Sequence, residues 1–168
     1  MANYERLYEP RPDVYAAWRQ LLLSVKANMD ERRYELVTLA AARRLKSSYC
    51  CLAHGSVLLT KFDEPVREIA LDYRTAGLDA VDVAAMDLAE KVVDDASAVT
   101  DADRQVLRDL GLTENEILDI VLAASIRCFF AKVTDAMGVL PDASFGELDP
   151  EVRDALVVGR PIEAPVAG

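Results

Sequence analysis

The chain holds only one histidine, one tryptophan and three cysteines in 168 residues. Three cysteines is an odd and small number, which excludes a disulfide scaffold and leads us to expect reduced thiols in a reducing compartment. One histidine and scattered cysteines lack the paired spacings of a structural zinc site, so no metal is expected. No segment approaches the roughly 18 uninterrupted apolar residues of a membrane span. No basic run offsets a net charge of -10, and such a chain repels phosphate backbones and anionic lipids. Neither nucleic acid nor membrane is therefore expected as a partner. The opening residues "MANYERLYEPRPD" have neither the basic start nor the apolar stretch of a signal peptide, and a cytoplasmic location is expected.

Proline is absent from Val66 to Leu140, and convincing strand alternation is absent throughout. What remains is a succession of helical patterns in a chain of one-domain length, with 52% hydrophobic and 29% charged residues. Pro12 opens a helix on which Val14, Trp18, Leu21, Leu22 and Val25 recur at helical spacing. Asp30 caps a second helix reaching about Lys46, and Ser48 caps a third through "YCCLAHGSVLLTKF". Asp63 and Pro65 open a fourth that ends near Gly77, and Asp79 begins a fifth. Thr100 caps a short sixth, and Thr113 with Glu116 forms a capping box for a seventh that runs towards Gly138. Beyond it, "LPDASFG" reads as a loop, "DPEVRDALV" as a short helical turn and "GRPIEAPVAG" as a loose tail that packs on a neighbouring subunit. The expectation is an all-α domain of six to eight helices spanning 1–168, with a core of about 10–140 and an extension from 141.

Chemistry concentrates in "SSYCCLAHG", residues 47–55, which holds two of the cysteines and the histidine. Cys50 and His54 are four apart, so on one helix they face the same way. Cys50 falls in the first turn, where free N–H groups and the helix dipole favour a thiolate and an imidazole can take its proton. The plain alternative is a pair of inert core residues on an apolar helix. Cys51 points about 100° away around the helix and reads as packing. Tyr49 either lines the pocket or packs beside it. Cys128 sits in the apolar stripe Ile117, Val121, Ala124 and is read as core; Trp18 is read as core or subunit interface. Gly55 inside a helix costs about 1 kcal/mol relative to alanine, which points to close approach of another helix.

A longer pattern runs Glu35, eleven residues, Ser47, two residues, Cys50, three residues, His54. It resembles the Glu-x11-Cys-x2-Cys-x3-His signature of the carboxymuconolactone decarboxylase and alkylhydroperoxidase D superfamily. The stretch from "AMDLAEKVVDDA" to "TDAMGV" is similar to the later helices of its peroxidase-related branch, so the resemblance covers roughly 10–140. It implies an alkylhydroperoxidase D-like helical bundle and a homo-oligomer, whether dimer, trimer or hexamer. It also implies a thiol-dependent peroxidase-like oxidoreductase that needs no cofactor. In this resemblance Cys50 attacks hydrogen peroxide or an organic hydroperoxide, His54 is its base and Glu35 the outer member of the relay. Ser47 stands where the family has its resolving cysteine, and Ala131 where many relatives carry asparagine. Serine forms no disulfide, so oxidised Cys50 would need an external thiol reductant, Cys51 or a cysteine of another subunit, or would stop as a regulatory sulfenate. The Ser47 hydroxyl is expected to hydrogen-bond the Cys50 thiolate. Two other functions stay open: a decarboxylase-like acid–base enzyme acting on an acidic lactone, and a non-catalytic or redox-sensing member.

In a simple antiparallel hairpin of the second and third helices, Glu35 lies opposite about residue 61. That places it roughly 10 Å along the axis from His54, so direct contact of the two is not implied by spacing alone.

Overall fold

The structure, a computed structural model, describes residues 1–165. Nine α-helices occur among these residues: α1 Asn3–Leu7, α2 Pro12–Lys26, α3 Glu31–Arg44, α4 Ser48–Phe62, α5 Val66–Asp72, α6 Ala80–Asp95, α7 Asp101–Asp109, α8 Glu114–Ala136 and α9 Pro150–Leu156. Short 3-10 turns at Ala96–Ala98 and Ala143–Glu147 complete the regular structure, and there is no strand among the described residues. The all-α expectation holds. The helix that sequence reading missed is α1, because five residues with no buried side chain present no apolar stripe to find.

Caps place most boundaries where side-chain chemistry puts them. Asp30 accepts from the Arg33 amide at 2.8 Å, and Thr113 and Glu116 exchange hydrogen bonds across the first turn of α8. Gly111 and Gly138 follow their helices with φ of 95° and 77°, a left-handed turn that glycine makes without a Cβ clash. Two boundaries differ from expectation. Asp63 closes α4 in the left-handed conformation instead of opening α5, which starts after Pro65. Ser47, not Ser48, is the N-cap residue of α4; the Ser48 hydroxyl turns away and accepts from the Gly159 amide at 2.8 Å.

Helix α3 is the centre of the molecule, buried without a break from Tyr34 to Ala42. A helix buried all round serves two cores at once. Its Leu36, Leu39 and Ala40 pack with Leu52, Leu58, Ile69 and Met86, while Tyr34, Val37 and Ala41 pack with Leu88, Leu107, Ile120 and Ala124. A buried carboxylate, Asp82 of α6, ties α3 to α6 through Arg32 at 2.5 Å and Arg33 at 2.8 Å. Gly55 does permit close approach: a Cβ there would meet the buried Leu156 side chain of α9 at 2.7 Å.

Residues 159–165, the described part of the segment read from sequence as a loose tail, are held by their own chain. Arg160 donates to the Asp135 carbonyl at 2.7 Å, and the Glu163 amide donates to the Pro141 carbonyl at 2.9 Å. Asn3 of α1 donates to Glu163 Oε2 at 2.8 Å, so the two chain ends hold each other. The last part of that reading, 166–168, lies outside the described residues. At Gly159 the strap lies so close that a Cβ would sit 2.0 Å from the Lys46 carbonyl oxygen. Backbone cannot yield as a flexible side chain does, so Gly159→Ala is expected to cost about 1–3 kcal/mol of stability. Gly146→Ala, with nothing within 4 Å, is the control. Thermal melts of the two variants measure the difference, and equal melting temperatures would contradict the packing of the strap.

Candidate active site

One face of α4 faces a cavity of about 230 Å³: Cys50, Ala53, His54 and Val57, at the i, i+3, i+4, i+7 spacing of a helical stripe. Cys51, Leu52 and Leu58 belong to the core. The separation of Cys50 from Cys51 that helical geometry requires is therefore realised. Helix α2 supplies Trp18, Leu22 and Lys26 to the cavity, one turn apart, α3 supplies Tyr34 and Glu35, and α8 supplies Arg127 and Phe130. Trp18 stacks on Phe130 with ring centroids 4.6 Å apart and packs against the core, as the sequence suggested, and it also lines this cavity.

His54 Nδ1 lies 2.5 Å from Glu35 Oε2, and Lys26 Nζ donates to Glu35 Oε1 at 2.8 Å. Direct contact of Glu35 with His54 thus exists where the simple hairpin made it doubtful. The register explains it: Glu31, not Glu35, pairs with Lys61, so the helices are displaced by about one turn relative to that hairpin. Burial alone would raise the Glu35 carboxyl, but His54 and Lys26 outweigh it and hold it down at about 2. The His54 imidazole is pushed down, first by burial and then by the charge of Arg127, against the pull of Glu35. The pair at neutral pH is a carboxylate and a neutral imidazole. A carboxylate only accepts, so Nδ1 carries the proton and Nε2 keeps its lone pair.

The side chain closest to the chemistry that sequence reading missed is Arg127. It is buried, and its Nη1 donates to Cys50 Sγ at 3.4 Å. A signal was present, a lone cation in the apolar run of α8. The stripe taken from sequence, however, was Ile117, Val121, Ala124, Cys128, whereas the buried one is Ile117, Ile120, Ala124, Arg127, Ala131. Cys128 is accordingly only partly buried, and Ala131 is core.

Two other site residues depart from the contacts expected of them. The Ser47 hydroxyl is buried and has no hydrogen-bond partner among the described residues, so the bond to Cys50 expected from the sequence is not made. Tyr49 lines the cavity with its ring, but its hydroxyl donates to Asp142 and is not free for a substrate.

An uncharacterized peroxidase-related protein from Ralstonia eutropha JMP134, described as an alkylhydroperoxidase AhpD core, superposes with a TM-score of 0.80 at 23% identity. The match covers 86% of this chain and 79% of that one. The chain has the alkylhydroperoxidase D fold. An uncharacterized peroxidase-related protein from Silicibacter sp. TM1040 shares it with a TM-score of 0.81 at 22% identity, over 87% of this chain and 79% of the other. No family model matches the chain, and no curated protein matches it. In this alkylhydroperoxidase D fold the carboxylate, imidazole and thiol of residues 35, 54 and 50 line one cavity. No group of three or more His, Cys, Asp or Glu able to hold a metal occurs among the described residues, and no helix there is long and apolar enough to cross a membrane.

Proposed function

We propose that the protein is a thiol-dependent peroxidase that reduces hydrogen peroxide or an organic hydroperoxide at Cys50. The observation that carries this reading is the Glu35–His54 hydrogen bond inside the cavity lined by Cys50, which leaves a neutral imidazole nitrogen as a base. His54 takes the thiol proton. The sulfur attacks the outer peroxide oxygen, an S–O bond forms as the O–O bond breaks, and His54 returns the proton to the departing alkoxide or hydroxide. Cys50 ends as a sulfenic acid and the peroxide as an alcohol or water. Aromatic and aliphatic walls, Trp18, Leu22, Val57 and Phe130 among them, suit the body of an organic hydroperoxide.

Turnover then rests on an external thiol. Ser47 has no sulfur to offer, and Cys51 is buried in the core on another face of α4, its thiol pushed well up by that burial. One thiol displaces water from the sulfenic acid to give a mixed disulfide, and a second releases Cys50. The test is to add peroxide in the presence of a sulfenate trap and locate the adduct by mass spectrometry. An adduct at Cys50 is expected. An unmodified Cys50 under conditions that oxidise free cysteine would sink the reading.

A further inference from the structure

We propose that Arg127 is a catalytic residue of this site, carrying the charge of the reacting sulfur while His54 moves the proton. The inference rests on the peroxidase reading for its place in a cycle, but its geometry is independent of that reading. Arg127 is a guanidinium on α8, brought to the first turn of α4 by the fold and donating directly to the reacting atom at 3.4 Å. It sits over the Phe130 ring at 5.5 Å, which leaves its donors in the plane of the fork.

The decisive feature is the missing counter-ion. A buried guanidinium normally has a carboxylate against it, because an unpaired buried charge is costly. Arg127 forms no ion pair with a carboxylate among the described residues, and its Nε is buried without a hydrogen-bond partner. Burial alone would weaken its hold on the proton, yet Cys50 and Tyr34 outweigh burial and keep it charged. The one carboxylate in the cavity, Glu35, is already committed to His54 and Lys26. The sulfur of Cys50 is therefore the group that Arg127 serves, as the negative charge that develops there when the proton leaves for His54. Such a partner stabilises negative charge first on the sulfur and, after attack, on the oxygen bound to it.

Arg127 has a second effect on the same step. Its charge helps push His54 down, so the imidazole stays neutral and able to accept a proton. The groups facing Cys50 and His54 divide accordingly. Arg127 and Lys26 are cations, Glu35 is the carboxylate, and Tyr34 and Tyr8 are phenols that burial keeps protonated.

The test reads the thiol itself and needs no turnover. Iodoacetamide, a neutral reagent, is reacted with the full-length protein from pH 5 to 9, and modification at Cys50 is followed by tandem mass spectrometry. Arg127→Gln is expected to slow modification at pH 7 about tenfold or more and to move the rate–pH profile to higher pH, whereas Arg127→Lys restores much of the rate. A purely structural role would move melting temperature and leave the profile in place. An Arg127→Gln rate within about twofold of wild type, with an unmoved profile, overturns the proposal, since a lost charge partner is worth more than that. Should Arg127→Gln fail to fold, the wild-type profile decides. A rate maintained down to pH 6 supports the charge partner, and one falling about tenfold per unit below pH 8, as for an unassisted thiol, overturns it. If Cys50 alkylates as expected but consumes no peroxide, the peroxidase reading fails and the Arg127 assignment stands.

Discussion

Replacing His54 with alanine is expected to slow peroxide oxidation of Cys50 by about 10² to 10⁴, the range a positioned general base supplies. Glu35→Gln is expected to have a smaller effect, about tenfold to 100-fold, because glutamine still accepts from Nδ1 but no longer holds the imidazole with a full charge. The order of the two losses is the informative result. Single-turnover oxidation, followed by quenching and mass spectrometry, measures both. If Glu35→Gln costs as much as His54→Ala, the carboxylate acts directly and the relay is misassigned. The pH dependence follows from the directions at the site. His54 is pushed below its ordinary value by burial and Arg127, so the acid limb of the rate profile should fall below pH 6.5. Stability has the same sign at both residues. Glu35, held at about 2 against an ordinary 4.5, contributes stability that is present above pH 4.5 and is lost as pH falls towards 2. His54 binds its proton less readily folded than unfolded, so its contribution is likewise lost as pH falls through 6.5. In acid melts, wild-type stability should therefore fall more steeply between pH 4.5 and pH 2 than that of Glu35→Gln, which lacks this titration.

Asp82→Ala is expected to destabilise the protein by about 3 kcal/mol without touching the cavity, since removing one partner of a buried pair leaves the other charges uncompensated. Asp82 is 2% exposed and serves both Arg32 and Arg33, while Arg32 continues to Glu64 in the connection after α4. One carboxylate thus joins α6 to α3 and, through Arg32, to the segment after α4. Both arginines keep some exposure, so they recover part of their hydration when Asp82 is lost, which keeps the expected cost at the lower end for such pairs. The melting temperature should fall by about 6–12 °C for a chain of this size. Iodoacetamide modification of Cys50 at 25 °C should be unchanged. A melting temperature within about 2 °C of wild type would mean that this network is solvated and contributes little.

Much of this fold is legible in the chain because its signals are local. Proline positions, Asp30, the Thr113–Glu116 box and Gly111 and Gly138 each act within a turn of the backbone, and helical spacing alone separates Cys50 and His54 from Cys51. The resemblance carried by Glu35, Ser47, Cys50 and His54 pointed to the alkylhydroperoxidase D fold that the solved structures share. The tertiary structure alone decided three matters. It set the α3–α4 register, which depends on how two helices pack and brings Glu35 within 2.5 Å of His54. It turned the Ser48 hydroxyl to Gly159 and the Tyr49 hydroxyl to Asp142, because residues far along the chain offered partners there. And it placed Arg127 on Cys50, a contact across 77 residues of chain that no periodicity encodes, since a side chain's charge partner is chosen by whatever the packing of separate helices leaves beside it.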